Sequence, residues 1–265
     1  KSFGWVGLDE HWRYKMAEEQ KFASEIIDLP SKGKLYSEES PLKDGKIEIK
    51  YMTAKEEDIL TSANLVKKGI VIDRLLDSLI LTPNVRCDDL LIGDKNAVMV
   101  AARILAYGPE YVCELADPDS GEKHDHTFNL ADCPFKHIED GITENLFDFT
   151  LPISKKKIKF SLLTGKDERL ITEDLKASKK TGTGISPELT TRFRYIIKEV
   201  EGDNSSTVIN NIAQNILARD SIALREEIAR VQPDIELKQD VEIGGETVEV
   251  DIPMTVTFFW PNSKK

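Results

Sequence analysis

Between residues 95 and 130 the spacing of apolar residues changes period, and this change constrains the fold more than any other feature of the chain. Over residues 95–107 the apolar positions, among them Val98, Ala101, Ala102 and Leu105, recur at three-to-four spacing, the repeat of a nearly all-round buried α-helix. Asp94 stands before it as a candidate N-cap, and Gly108-Pro109 supplies the stop. Then Tyr111-Val112-Cys113-Glu114-Leu115 and Thr127-Phe128-Asn129-Leu130 alternate with period two around the polar turn Asp117-Pro118-Asp119-Ser120-Gly121. A helical block is thus followed by a hairpin.

The same order recurs near the C-terminus. Ile209, Ile212 and Ile216, then Leu224, Ile228 and Val231, mark helices over 208–217 and 220–231, the second capped by Asp220 and stopped before Pro233. Their short connection predicts antiparallel neighbours. Residues 235–243 and 247–252 flank Gly244-Gly245, a favourable two-residue hairpin loop. The class is α+β, helical blocks each followed by a small antiparallel hairpin or sheet, with no parallel doubly wound sheet.

Elsewhere the signals are local. A loose apolar stripe, Trp5, Leu8, Trp12, Met16 and Phe22, reads as helix over 5–28, ending before Leu29-Pro30. Residues 46–52 alternate as a strand, and Thr53 with Glu56 has the spacing of a capping box opening a helix over 54–60. Residues 70–80 form a further apolar helix, and 147–152 and 157–163 are strand candidates. Residues 179–186, with Thr181-Gly182-Thr183-Gly184, read as a linker, after which Ser186 caps a helix with Pro187 at its first position. Three units follow: an aromatic arm over 1–28, an α+β domain over 29–178, and a helical pair with hairpin over 187–265.

Composition narrows the function classes. The 265-residue chain is 40% hydrophobic and 31% charged, the balance of a folded protein. A net charge of −11 repels phosphate backbones, and the dense basic cluster Lys155-Lys156-Lys157 with Lys159 reads as a solvated strand edge, so nucleic acid is not expected as a partner. No apolar run approaches the ~18 residues that span a bilayer, and no signal-peptide core opens the chain. Three widely spaced cysteines, Cys87, Cys113 and Cys133, suit a reducing compartment and folding in the cytoplasm.

No motif carries catalytic chemistry. Cys113, His124, His126 and Cys133 flank the first hairpin and are the nearest approach to a zinc site, yet no Cys-x-x-Cys pair exists and buried cysteines with turn histidines are the expected reading. Gly165-Lys166 has Phe160 where a phosphate-binding loop needs glycine. Neighbouring carboxylates such as Glu56-Glu57, Asp88-Asp89 and Glu226-Glu227 diverge on a helix and read as solvated faces. No enzyme, cofactor or metal is expected.

Leu29-Pro30-Ser31-Lys32-Gly33 with Tyr36, the strand over 47–52, and Thr53-Ala54-Lys55-Glu56-Glu57-Asp58-Ile59-Leu60 together resemble the opening of the T-even-type (T4-like) bacteriophage baseplate hub subunit family. The resemblance continues through Asp89-Leu90-Leu91-Ile92-Gly93-Asp94-Lys95-Asn96, Ala106-Tyr107-Gly108 and Phe258-Phe259-Trp260-Pro261, covering roughly residues 29–261. It departs where related sequences carry Cys-x-x-Cys, since Glu114-Leu115-Ala116 follows Cys113 and the second hairpin lacks cysteine. The resemblance implies a non-enzymatic structural component of a contractile-tail baseplate. It would be assembled in the host cytoplasm into the virion and would bind hub, tube-initiating or wedge proteins. Rival readings are an assembly chaperone absent from the finished particle and, more distantly, a tail-associated cell-wall hydrolase. Large apolar side chains near the chain ends, Trp5, Leu8, Trp12, Phe22, Phe258, Phe259 and Trp260, are the candidate partner contacts; residues 258–260 read equally as a last core strand.

Overall fold

In the computed structural model, which describes residues 22–116, 121, 123–180, 186–243, 246–254 and 256–259, strand β1 (Ser24–Asp28) runs antiparallel to β2 (Lys46–Lys50). Alternation along β2 turns Ile47 and Ile49 onto the core and leaves Lys46 at the surface. The helical stripe expected over 5–28 lies outside the described residues up to position 21, and over 24–28 the chain is extended instead. The β-branched pair Ile26-Ile27 favours a strand, and the ladder adds a Ser24 Oγ donation to Glu48 at 2.6 Å and a Lys46–Asp28 ion pair at 3.7 Å. The turn between the strands needs glycine twice. Gly33 and Gly45 have φ of +73° and +69°, and a Cβ on Gly33 would stand 2.0 Å from Lys43 O.

Helices α1 (Ala54–Thr61), α2 (Ala63–Lys68), α3 (Val71–Leu79) and α4 (Ile92–Tyr107) follow. The Thr53–Glu56 capping box opens α1 as the spacing predicts, and α3 buries Val71, Leu75, Leu76 and Leu79. The hairpin β3 (Glu110–Ala116) and β4 (Lys123–Asn129) comes directly after α4. A three-stranded sheet, β6-β7-β8, is built from β6 (Phe147–Thr150), β7 (Lys157–Phe160) and β8 (Ile197–Val200), while β5 (Phe135–Lys136) pairs with the distant β9 (Asp234–Ile235). Helices α5 (Gly165–Lys180), α6 (Glu188–Ile196), α7 (Ser206–Asn215) and α8 (Ala218–Val231) complete this part of the chain, α6 and α7 packing on β8, and β10 (Lys238–Ile243) with β11 (Glu246–Asp251) makes the second hairpin. The architecture is α+β, with small antiparallel sheets.

Several local expectations change. Leu91 and Leu217 are the N-cap residues of α4 and α8, so Asp94 and Asp220 lie inside the first turn, at the third helical position. Pro187, not Ser186, caps α6. Helix α7 packs on α6 and β8 and does not lie alongside α8, because Ile216 (ψ 132°) and Leu217 (ψ 145°) are both extended and redirect the chain without reversing it. Lys157 and Lys159 stand on the central strand of their sheet, not on an edge, with Lys159 paired to Glu199 at 3.3 Å.

Two hydrophobic cores each draw on residues from both sides of 179–186. The first joins Leu29, Ile47, Leu75, Val98 and Phe128 to Ile235, Val241, Ile252, Phe258 and Phe259. The second gathers Phe147, Ile158, Phe160, Phe193, Ile212, Leu224 and Val231, with Leu35 and Leu91 reaching in from the first half. Helices α5 and α6, either side of the expected linker, are tied by Arg192–Glu168 and Arg194–Asp174 ion pairs at 2.5 and 3.2 Å. Backbone contact welds the two cores. A Cβ on Gly93 would lie 1.8 Å from Pro233 O, and one on Gly165 would lie 2.2 Å from Cys87 O.

Candidate interaction site

Three buried carboxylates occupy the third position of a helix, where the helix dipole favours negative charge. Glu56 at the start of α1 accepts from Thr53 N (3.0 Å), Thr53 Oγ1 (2.6 Å), Lys50 Nζ (2.7 Å) and Ser78 Oγ (3.3 Å). Burial alone would raise its pKa, but the Lys50 ammonium and the Thr53 donors outweigh it and hold the carboxyl at about 2. Asp94 accepts from Ser31 N (3.0 Å), Ser31 Oγ (2.6 Å) and Tyr36 OH (2.7 Å), fixing the Pro30–Gly33 turn onto α4. There burial prevails over the donors and pushes the carboxyl up. The same phenol accepts from Leu91 N at 2.9 Å, and burial with the adjacent Asp94 raises its pKa well above the usual range.

Asp220 accepts from Ile153 N (2.7 Å) and Ser154 N (3.0 Å), clamping the 151–156 loop to α8; burial opposes ionisation, but these N–H groups keep the pKa low. All three carboxylates hold irregular backbone to a helix start. Four of the other nominated carboxylates are engaged within the chain. Glu57 accepts from Tyr107 OH at 3.3 Å, Asp88 pairs with Arg169 at 2.9 Å, Asp89 accepts from Arg86 N at 2.8 Å, and Glu227 pairs with Arg230 at 2.7 Å.

Of the zinc candidates, Cys113 and His126 are direct partners across the β3–β4 ladder, whereas His124 faces Leu115. Cys133 is buried apart from them, its Sγ 3.4 Å from the donor Gln239 Nε2, and His126 packs edge-on to Phe128 at 4.6 Å. Among the described residues no group of three or more His, Cys, Asp or Glu side chains converges to hold a metal. Burial pushes the thiols of Cys87, Cys113 and Cys133 up, away from the thiolate that a nucleophile requires.

The partner-contact candidates separate. Phe258 and Phe259 are fully buried in the first core, Phe258 packing 5.1 Å from Tyr111 and 5.4 Å from Phe259. Buried Arg103 donates from Nε to Phe258 O at 2.9 Å, which locks the segment in place. Both side chains therefore serve the protein's own packing, since a residue already removed from water gains nothing at an interface. Phe22 is 44% exposed, under the Lys50 ammonium at 4.7 Å, while Trp5, Leu8, Trp12 and Trp260 lie outside the described residues. Ile26, which no sequence pattern singled out, is 67% exposed on the outer face of β1.

The three buried carboxylates are satisfied by the chain's own donors, the three thiols are raised by burial, and Ile26 stands exposed on β1. The family model for the T4 bacteriophage base plate protein matches residues 24–260, nearly the whole chain, and the chain belongs to that family. No curated protein and no solved structure matches it. Membership makes it a phage baseplate protein, associated with other tail proteins in the virion tail. No described helix is long and apolar enough to cross a membrane.

Proposed function

We propose that the chain is a structural subunit of the baseplate hub of a contractile phage tail, binding hub, tube-initiating or wedge proteins as the baseplate assembles, without catalysis of its own. The observation that carries this reading is the family match over 24–260, which takes in both hydrophobic cores. Supporting it, the buried carboxylates all act as internal fasteners. Trp5, Leu8, Trp12, Phe22 and Trp260 remain the proposed partner contacts, the aromatic ones because such side chains dominate interface energetics and Leu8 as part of the same apolar stripe.

The test is mass spectrometry of purified virions and of isolated baseplates, joined to a density map of the baseplate. A subunit retained at the tail tip supports the hub role. A chain abundant in assembly intermediates but absent from virions identifies an assembly chaperone instead, and peptidoglycan turnover by the purified chain would replace both readings with a hydrolase.

A further inference from the structure

Among the described residues the outer edge of β1 is open. Tyr51 N donates to Ala23 O at 2.9 Å and Leu29 N to Gly45 O at 2.8 Å, in register with the β1–β2 ladder. Hydrogen-bonding residues alternate along an antiparallel strand, so Ala23, Glu25, Ile27 and Leu29 address β2 while Phe22, Ser24, Ile26 and Asp28 direct their N–H and C=O groups outward. Among the described residues no strand pairs with that side. The far edge of β2 is covered, since Leu81 N donates to Glu48 O (2.8 Å) and Glu48 N to Thr82 Oγ1 (2.8 Å).

Folded proteins ordinarily blunt such an edge with lysine, proline or a bulge. Strand β1 has none of these, and its ladder runs unbroken from Ser24 to Asp28. Its two carboxylates are engaged by their own sheet, Glu25 by Tyr51 OH at 3.0 Å and Asp28 by Lys46 at 3.7 Å, which leaves Phe22, Ser24 and Ile26 as a neutral edge. Ile26 is the most exposed large apolar side chain among the described residues.

We propose that this edge is closed by the same edge of a second copy of the chain, antiparallel about a two-fold axis at Ser24, making a continuous four-stranded β2-β1-β1-β2 sheet. In this register each Phe22 faces the other copy's Ile26, an aromatic and β-branched cross-strand pair, and Ser24 faces Ser24. Glu25 faces Ala23, so no carboxylate opposes another. The two-fold pairs each outward donor with its equivalent acceptor. An axis at Ile26 would instead set Phe22 against Pro30, which has no N–H to give. One strand pair and four apolar side chains fall short of the ~1,200 Å² typical of stable complexes, so the dimer is weak in free solution and tightens where copies are held close. The inference is independent of the hub reading, since absence from virions would remove that reading and leave self-association untouched.

Disulfide trapping of the full chain tests it. Facing residues of a hydrogen-bonded pair have Cα atoms about 5.5 Å apart, within disulfide reach. Under mild oxidation Ser24→Cys should give covalent dimer at least tenfold faster than the exposed control Glu39→Cys and faster than the wild-type chain, and adding Ile26→Lys should remove the advantage without shifting the unfolding transition. Sedimentation should show dimer growing with concentration, lost in Ile26→Lys. Equal trapping of Ser24→Cys and Glu39→Cys overturns the proposal. So does exchange protection of the Ser24 and Ile26 amides in the dilute monomer, which would mean that the chain's own residues already cover the edge.

Discussion

Lys50 Nζ lies 2.7 Å from Glu56 Oε1 with the two side chains 7% and 0% exposed, a buried ion pair joining the end of β2 to the start of α1. Removing one partner strands the other charge, which typically costs about 3–5 kcal/mol. Glu56→Ala and Lys50→Ala should each destabilise by that order, while Lys50→Met with Glu56→Leu should recover much of the loss. Urea unfolding of the three variants measures the cycle. Because the Glu56 carboxyl is depressed from near 4.5 to about 2, its contribution is complete above pH 4.5 and is lost as pH falls towards 2. Glu56→Gln should therefore flatten the acid limb of the stability curve.

The Asp220 clamp makes a narrower prediction. Asp220→Ala orphans the N–H groups of Ile153 and Ser154 and should cost about 1–3 kcal/mol for each group that water does not reach. Its signature is local: amide exchange should quicken in the 151–156 loop before it quickens in β7. Exchange that rises uniformly across the chain would refute a local clamp.

Gly93 should tolerate no side chain. Alanine there would drive its Cβ into Pro233 backbone, and overpacking of this kind costs about 3 kcal/mol or more. Gly141 has φ +89° and open space around it, so Gly141→Ala should carry only the left-handed penalty of about 1–2 kcal/mol. Thermal unfolding of the pair separates collision from conformation.

The aromatic residues at the two ends should behave oppositely. Phe258→Ala empties a fully buried site and should lose about 3–5 kcal/mol. Trp12→Ala should leave the unfolding transition of the isolated protein nearly unchanged while lowering its incorporation into baseplates. A large stability loss in Trp12→Ala with normal incorporation would assign the arm to the core.

Legibility in the sequence followed the range of the interaction. Thr53 and Glu56 are three residues apart, so a local rule finds α1; Gly108-Pro109 likewise ends α4, and period-two alternation marks both hairpins. Charges dilute the apolar stripe of α5 and hide it from periodicity, yet Thr164 and Asp167 carry a readable signal: Thr164 N and Oγ1 each donate to Asp167 at 2.8 Å. Asp94 and Asp220 misled because the true caps are leucines, which offer no acceptor, and the carboxylates turn away to distant loops. Nothing local announces that Gly93 meets Pro233, that β5 pairs with β9, or that Ile26 lies on an open edge. Phe258 and Phe259 read equally as partner contacts or as a last core strand; they are core, but on a 3-10 turn over Val256–Phe259 instead of a strand, and their full burial and the Arg103 bond to Phe258 O come from residues far away in sequence.

Because Phe258 and Phe259 complete a core begun by Leu29 and Ile47, the order of folding on the ribosome is set by the connectivity. Every buried member of the second core has been synthesised by Val231, so that half can consolidate while translation continues. The first half must wait, holding apolar surface open until the last aromatic pair emerges. A chain terminated before Phe258 would thus present an unfinished first core to proteases.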